Sequence, residues 1–334
     1  MMDRCAACGS GKWSITERLA GYELATCQDC GLTFTRNPDY SSERYKAAYC
    51  QGPGPVPVTA EHGYVYSMPA KRLELEHLAF FPPAPRLPPS QRLALNWLKA
   101  KLPAQATVLD YGCGSGRFLW ALRKAHFHAV GLEVVDHLVH LLRLRGFEAI
   151  VATAPDFPWV GEAPSAITIF DVLEHFPDPQ RLIGVLRRRF PKAKILASVP
   201  SPVRASLLLH GERGLSDLPP NHYLRWTPKA LIAFFRRAGY EAVSVELPAP
   251  VGSELMPGVS QLLAKLVGAR RLAAGTGADI LGGVAQARIG RLGAMVLLWL
   301  QRSYQVVMDL AGAPRARKAG RKGASASSML VIAE

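Results

Sequence analysis

The stretch "VLDYGCGSG" at residues 108–116 joins an apolar run to three glycines, with one acidic residue between them. Gly112, Gly114 and Gly116 lack a Cβ, so they allow tight turns and let a ligand approach the backbone closely. The following "RFLWALRKAH" has helical spacing, which predicts a strand, a glycine turn and a helix start. Because a helix N-terminus offers unpaired N–H groups to anions, this stretch predicts a site for a ligand with an anionic end.

Strands and helices alternate on both sides of this turn. Five apolar stretches read as strands: "TVLDY", "HAVGLE", "EAIV", "AITIF" and "KILASV". Predicted helices lie between them, and two more helices have Ser90 and Thr227 as their expected N-caps. "EAVSVEL" and "SMLVIAE" are predicted to be the sixth and seventh strands. The alternation predicts a parallel sheet covered by helices on both faces.

Composition and charge narrow the class of protein. The chain has 334 residues, of which 49% are hydrophobic, enough for a full α/β core with an accessory module. The formal net charge is +14, and the segment from Ser260 to Glu334 holds eleven Lys or Arg against three acidic residues. This excess suits an acidic partner, either nucleic acid or an anionic membrane. Lacking an apolar N-terminal signal, the sequence predicts a cytoplasmic protein, with peripheral contact at the inner membrane face as a further option.

Four cysteines occur within the first thirty residues in the pattern C-x2-C-x18-C-x2-C, namely Cys5, Cys8, Cys27 and Cys30. Four thiolates in two such hooks are typical of a closed tetrahedral zinc site that is structural, not catalytic. Two disulfides are the alternative, which a reducing compartment disfavours. A redox pair would need only one of the two hooks.

These features divide the chain into three predicted parts. A zinc ribbon spans residues 1–45, and a linker or strap with nine prolines spans residues 46–89. The remaining domain spans residues 90–334 and carries a helical insert at about 249–322, between the last two predicted strands.

The insert places its polar residues on a narrow helical stripe: Arg288, Arg291, Arg302, Gln305 and Asp309. Apolar residues cover most of the other faces. Two interpretations stay open at this point. The helix either packs on the domain or on a second subunit as a homodimer, or it lies in a membrane interface with the basic run "RARKAGRK" on anionic lipid.

Glu133 ends the second predicted strand, where a carboxylate can bind both hydroxyls of a ribose. A nucleotide-like ligand therefore fits the predicted site. The dinucleotide fingerprint G-x-G-x-x-G is not matched, because Arg117 stands where its last glycine would be. The sequence thus disfavours a dehydrogenase.

The chain from about residue 90 to 248, with the final strand, resembles the class I S-adenosylmethionine (SAM)-dependent methyltransferases. "LDYGCGSG" is similar to their first motif, "VGLE" to their acidic second motif, and "TAPDFPW" and "FDVLEHFPDP" to later segments. "RRRFPKAKIL" departs from the family, which usually has a Gly-Gly turn there. The resemblance implies an α/β fold with a doubly wound, Rossmann-like, seven-stranded methyltransferase sheet, here preceded by the zinc ribbon.

The resemblance also implies SAM as the cofactor and a set of residues around it. Gly112, Gly114 and Gly116 would hold the methionine portion, and Asp110 would orient this turn. Glu133 would bind the ribose, and Asp156 with Phe157 would face the adenine. Asp171, at a strand end, would line the pocket near the methyl group. Asp156 as a solvated loop acid and Asp171 as a strand-end cap are the alternatives.

An oxygen acceptor must lose a proton, for which a histidine of near-neutral pKa is suited. His222 in "PNHYLRW" is the first candidate and His175 in "LEHF" the second. The sequence therefore predicts methyl transfer from SAM to a small-molecule, sugar or lipid-linked acceptor at oxygen. The alternatives are an rRNA or tRNA methyltransferase that grips RNA with its zinc ribbon and basic tail, which the missing "NPPY"-like signature disfavours, and a non-catalytic scaffold.

Overall fold

The structure is a computed structural model. It describes residues 2–19, 21–40, 86–152, 157–204, 217–255 and 291–334, position 207, and a short antiparallel pair, β4 (Val56–Pro57) with β5 (Tyr64–Val65). Most of the predicted proline-rich linker and the first part of the predicted insert lie outside these residues.

A seven-stranded sheet forms the centre of the protein, as the sequence predicts. Its strands are β6 (Thr107–Tyr111), β7 (His128–Glu133), β8 (Glu148–Val151), β9 (Ala166–Phe170), β10 (Lys194–Pro200), β12 (Val243–Glu246) and β13 (Ser328–Ala333). Their order across the sheet is β12-β13-β10-β9-β6-β7-β8. From β6 the chain adds β7 and β8 on one side and then β9 and β10 on the other side. The carboxyl end of β6 therefore lies at the switch point where such sheets bind ligands.

The last strand departs from the predicted parallel arrangement, because β13 runs antiparallel to both β10 and β12. Residues just before β13 are hydrogen bonded to residues just past the carboxyl ends of its neighbours: Ser325 N–H donates to Val203 and Ala326 N–H to Pro248. The chain therefore enters β13 at the carboxyl edge of the sheet and can only run in the opposite direction.

In the described part of the chain, six helices flank or follow the sheet: α1 (Pro89–Lys101), α2 (Arg117–Lys124), α3 (Asp136–Leu144), α4 (Pro179–Arg189), α5 (Pro228–Arg237) and α6 (Arg291–Arg321). The Thr227 cap is confirmed, since its hydroxyl accepts from Ala230 N–H at 3.0 Å. Ser90 is not a cap. Helix α1 begins at Pro89, which needs no N–H partner in the first turn, and Ser90 is buried inside the helix.

The N-terminal cysteine segment forms a small antiparallel sheet from β1 (Trp13–Leu19), β2 (Tyr22–Cys27) and β3 (Thr33–Thr35). This sheet gains a fourth strand from far along the chain, β11 (Leu224–Arg225), which pairs with β3. The apolar side chains of the segment and of one face of the central sheet belong to one continuous buried cluster.

Helix α6 is anchored through its polar side. Asp309 forms an ion pair with Arg86, and a Cβ on Gly312 would lie 2.3 Å from the carbonyl oxygen of Gly252. Asp309 therefore faces the domain, whereas several apolar side chains of α6 face solvent. No helix among the described residues has both the length and the apolar character needed to cross a membrane.

Candidate active site and cysteine cluster

The glycine turn after β6 is open towards the carboxyl edge of the sheet. Gly114 has a φ of +52°, and a Cβ built on it would meet no atom within 4 Å. Gly116, at a φ of +75°, lies instead against α3, where a Cβ would be 2.4 Å from Leu142 Cδ2. The left-handed backbone and the nearby Leu142 side chain therefore favour a glycine at 116, while the free space beside Gly114 fits a ligand lying on the backbone.

Glu133, at the end of β7, is buried next to this turn. Its Oε2 accepts a hydrogen bond from Gly114 N–H at 2.9 Å, and its Oε1 accepts from the N–H groups of Val134 at 2.8 Å and Val135 at 3.2 Å. Burial raises the pKa of Glu133, and these three donors oppose that rise. A carboxylate offers about four lone-pair positions, so Oε2 can still accept from a ligand hydroxyl.

Asp110 lies deeper in the same strand-end region. It is buried and accepts a hydrogen bond from the Thr168 hydroxyl at 2.7 Å. Burial raises the pKa of Asp110 to about 7, opposed by that hydrogen bond and reinforced by Glu133. This hydrogen bond joins β6 to β9, and the orienting role that the family resemblance implies for Asp110 stays a prediction.

Phe157 packs against Tyr111, the last residue of β6 before the turn. It is buried, and its ring lies edge-on to Tyr111 at 6.4 Å and to Trp159 at 6.3 Å between centroids. A flat apolar surface of this kind suits a purine ring. Asp156 lies outside the described residues, so its part in this site stays a prediction.

Asp171 follows β9 and connects three strands at the carboxyl edge. Its backbone has a φ of +54°, and its Oδ1 accepts hydrogen bonds from Ser198 and Ser328, both at 3.0 Å. The strand-end capping alternative therefore describes its present contacts well. The carboxylate is also exposed, which leaves it accessible to a ligand.

The two predicted histidines lie side by side, although they are distant in sequence. His175 bonds to Asn221, the residue before His222 and 46 positions further along the chain. Their rings are edge-on with centroids 4.7 Å apart. His175 Nδ1 lies 2.6 Å from the Asn221 carbonyl oxygen, so this nitrogen carries the proton and donates. Burial lowers the pKa of His175 and, more strongly, that of His222, so both rings are neutral at pH 7.

Glu174 is a site residue that the sequence reasoning missed. It lies beside His175 in a 3-10 turn, Leu173–His175, and its side chain is fully buried. Burial raises the pKa of Glu174 well above its usual range. The adjacent acid and histidine in "LEHF" are a visible signal, but their meeting with His222 requires the fold.

The four cysteines converge as predicted. The Sγ atoms of Cys5 and Cys30 lie 3.5 Å apart, those of Cys8 and Cys27 lie 3.6 Å apart, and all four fall within 4.8 Å of one another. The pKa of Cys5 is lowered to about 5, chiefly because its sulfur is hydrogen bonded to Cys30. Tetrahedral zinc with Zn–S bonds of 2.3 Å would set the sulfurs about 3.8 Å apart, so the cluster fits that metal.

Comparison with known proteins bears on residues 86–245, which match the sequence model of the family described as "Methyltransferase domain". A protein named ubiquinone biosynthesis O-methyltransferase, from Xanthomonas axonopodis pv. citri (strain 306), is 28% identical over 166 residues, covering 45% of this chain and 70% of that protein. Its namesake in Xanthomonas oryzae pv. oryzae (strain PXO99A) is covered over 66% of its length, so the chain spans about two thirds of these relatives.

Two further similarities are more limited. The human protein named probable tRNA methyltransferase 9B is 34% identical over 80 residues, which cover 24% of this chain and 17% of that protein. Among solved structures, a SAM-dependent methyltransferase from Archaeoglobus fulgidus aligns with a TM-score of 0.41 and 15% identity, covering 73% of this chain and 93% of the other.

Proposed function

Residues 86–245 belong to the class I SAM-dependent methyltransferases, and from this premise we propose that the protein methylates an oxygen atom of a small-molecule, sugar or lipid-linked acceptor. The observation that carries the proposal is the pair of neutral, adjacent histidines next to the carboxyl end of β9. When bound, SAM supplies an electrophilic methyl group on a positively charged sulfur. The protein must then hold the acceptor in line, exclude water and remove a proton.

The cofactor side of the site is proposed to follow the family residue by residue. The open backbone at Gly114 would hold the amino-acid end, Glu133 the ribose, and Phe157 with Asp156 the adenine. Asp110, in β6, would orient the glycine turn that follows this strand. This assignment is supported by the positions of these residues, since those that the structure describes lie near the carboxyl ends of β6 and β7, which pair in parallel.

On the acceptor side, the neutral ring of His222 can accept the hydroxyl proton. Its Nδ1 lies 3.7 Å from Asp217 Oδ1, which would stabilise the imidazolium once it forms. His175, whose Nδ1 proton is committed to Asn221, supports the His222 ring through their edge contact. The names of the relatives, as O-methyltransferases, agree with an oxygen acceptor.

A direct test is methyl transfer from tritiated SAM into cell extract separated into lipid, glycan and RNA pools. We expect label in an extractable small-molecule or lipid pool, and we expect His222→Asn to lower the rate by about a hundredfold or more, the usual range for a general base. Label confined to RNA would favour the alternative of an RNA methyltransferase. No label in any pool from protein that binds SAM would favour the scaffold.

We also propose that the four cysteines hold one structural zinc ion. All four protein ligands are thiols, which leaves no position for substrate, so the ion would stabilise the segment and take no part in the chemistry. The support is the converging geometry of the four sulfurs.

Peripheral membrane contact through α6 is the proposal for localisation. Its exposed apolar side chains are Leu292, Met295, Val296, Trp299, Leu300, Val306, Val307 and Leu310. Exposed basic residues follow in the last turns of the same helix, where each could contribute about 1 kcal/mol on anionic lipid. An apolar face followed by basic charge is the pattern of a helix that lies in a membrane interface.

Vesicle flotation checks this localisation. We expect the protein to float with phosphatidylglycerol-containing vesicles at low salt, less so at high salt, and not with neutral vesicles. Trp299→Glu should abolish flotation. Val160→Glu is the control and should not, because Val160 is also an exposed apolar residue (92% exposed) but lies outside α6. A stable dimer that ignores anionic vesicles would support the rival homodimer interpretation.

A further inference from the structure

Three metal-ligand side chains converge at the carboxyl end of β9, apart from the cysteines. A carboxylate oxygen of Glu174 and one ring nitrogen each of His175 and His222 lie within 4.8 Å of one another. The two parts of the cluster are joined by the backbone, because Tyr223 N–H donates to the Glu174 carbonyl at 2.8 Å. The spacing is therefore fixed by main-chain contacts on both sides.

The Glu174 carboxylate lacks the partners that a buried acid normally has. The residue is 0% exposed, and among the described residues neither carboxylate oxygen has a hydrogen-bond partner. Burying an unpaired carboxylate is unfavourable, and proteins avoid it by pairing, protonation or metal coordination. Arg204 does not serve as the partner, because its guanidinium is paired with Asp217.

The histidines are oriented as ligands usually are. A metal-binding histidine commonly donates its second ring N–H to a carbonyl or carboxylate, which fixes its tautomer. His175 does this through its Nδ1, which donates to the Asn221 carbonyl. His222 has the Asp217 carboxylate beside its Nδ1.

We propose that Glu174, His175 and His222 form a binding site for a first-row divalent cation. One carboxylate and two imidazoles are a known ligand set for such ions, and three protein ligands leave a coordination position open. Ligand atoms around an ion of this size are about 3.3 Å apart. Binding therefore requires small side-chain rotations that draw the three groups together.

The position next to Asp171 suggests what the open coordination position would take. This step rests on the proposed function. The ion would coordinate the acceptor hydroxyl and lower its pKa, so that the hydroxyl proton would pass to water and the resulting oxyanion would attack the methyl group of SAM. With the ion bound, the His222 lone pair would be held by the metal, so water and not His222 would take the acceptor proton; proton transfer to His222 would then be the route of the metal-free site.

Titration with Mn²⁺ alone, followed by the electron paramagnetic resonance signal of the free ion, tests the site without SAM or acceptor. The full-length protein is first given one equivalent of zinc per chain, enough only for the four thiolates, and Mn²⁺ is then chosen because thiolates select softer metals. We expect one Mn²⁺ bound per chain. Glu174→Gln and His222→Asn should each weaken binding by about tenfold or more, the scale of effect known for ligand-shell changes.

His128→Ala is the matched control, because His128 forms an exposed pair with Glu148 at 3.0 Å and should bind Mn²⁺ as the wild type does. Circular dichroism and SAM affinity confirm that each variant is folded. No Mn²⁺ binding by the folded wild type, or equal binding by Glu174→Gln and His222→Asn, would overturn the proposal and leave Glu174 as a protonated acid. Mn²⁺ binding without any methyl transfer would instead keep the site and reject the proposed function.

Discussion

Replacement of Glu133 by alanine is expected to weaken SAM binding by about 2–4 kcal/mol, or roughly 30- to 1,000-fold in Kd. Two effects act together. The variant loses the charge-assisted hydrogen bond that the proposed ribose contact would supply, and it loses the acceptor that holds Gly114 N–H at 2.9 Å. The glycine turn would therefore be both less attractive to the ligand and less well ordered.

Isothermal titration calorimetry with SAM measures this effect. Glu148→Ala is the control, since Glu148 is an exposed acid at the start of the neighbouring strand and should leave the affinity unchanged. Glu133→Gln separates charge from shape, because its amide can accept from only one side of the former carboxylate. A folded Glu133→Ala protein with wild-type affinity would show that SAM binding depends neither on a contact with Glu133 nor on its hydrogen bond to the glycine turn.

The central sheet was predictable because each of its strands carries its own local signal. "TVLDY" and "AITIF" are short apolar runs bounded by turn residues, and both form buried strands at those positions. The residues predicted to bind the cofactor follow from the same logic, since Gly112 comes directly after β6 and Glu133 ends β7, which pairs with β6 in parallel. Local pattern and parallel topology together place them near one another.

Features that depend on contacts between distant segments were not predictable. The Thr35 hydroxyl donates to the carbonyl of Tyr223, 188 residues along the chain, and nothing in either segment announces this pairing. Glu174 was not predicted for a similar reason, because its position near His222 arises only in the folded chain. The antiparallel direction of β13 likewise depends on where the chain leaves α6.

The cysteine segment is linked to the segment that carries His222, the proposed general base. Strand β11 begins two residues after His222 and is held by β3 and by three side-chain contacts. Arg225 donates to Glu17 at 2.8 Å, the Thr227 hydroxyl donates to the Cys30 carbonyl at 2.7 Å, and Tyr223 donates to Asp39 at 3.0 Å. The cysteine segment therefore positions the loop that carries His222.

Replacement of Cys27 by serine is expected to release the metal and unfold the segment from β1 to β3. Structural zinc contributes about 10–16 kcal/mol of apparent binding free energy in small domains, which otherwise have too small a core to fold. The zinc content measured by elemental analysis should fall from one ion per chain in the wild type to less than about a tenth of that. Cys50→Ser, outside the four-cysteine pattern, should keep its zinc.

The same variant should lose methyl transfer far more than it loses SAM binding. Glu133 and the glycine turn are held by the central sheet, whereas the loop that carries His222 depends on β3 and on the Cys30 carbonyl. Titration with SAM and a methyl-transfer assay on the same preparation separate the two effects, and chelation of zinc from the wild type provides a second route to the same state. If the zinc-free protein transferred methyl groups at the wild-type rate, the cysteine segment would not position the acceptor side. If protein purified without chelator contained no zinc, the metal assignment itself would be wrong, and the four thiols would stabilise the segment by hydrogen bonding and burial alone.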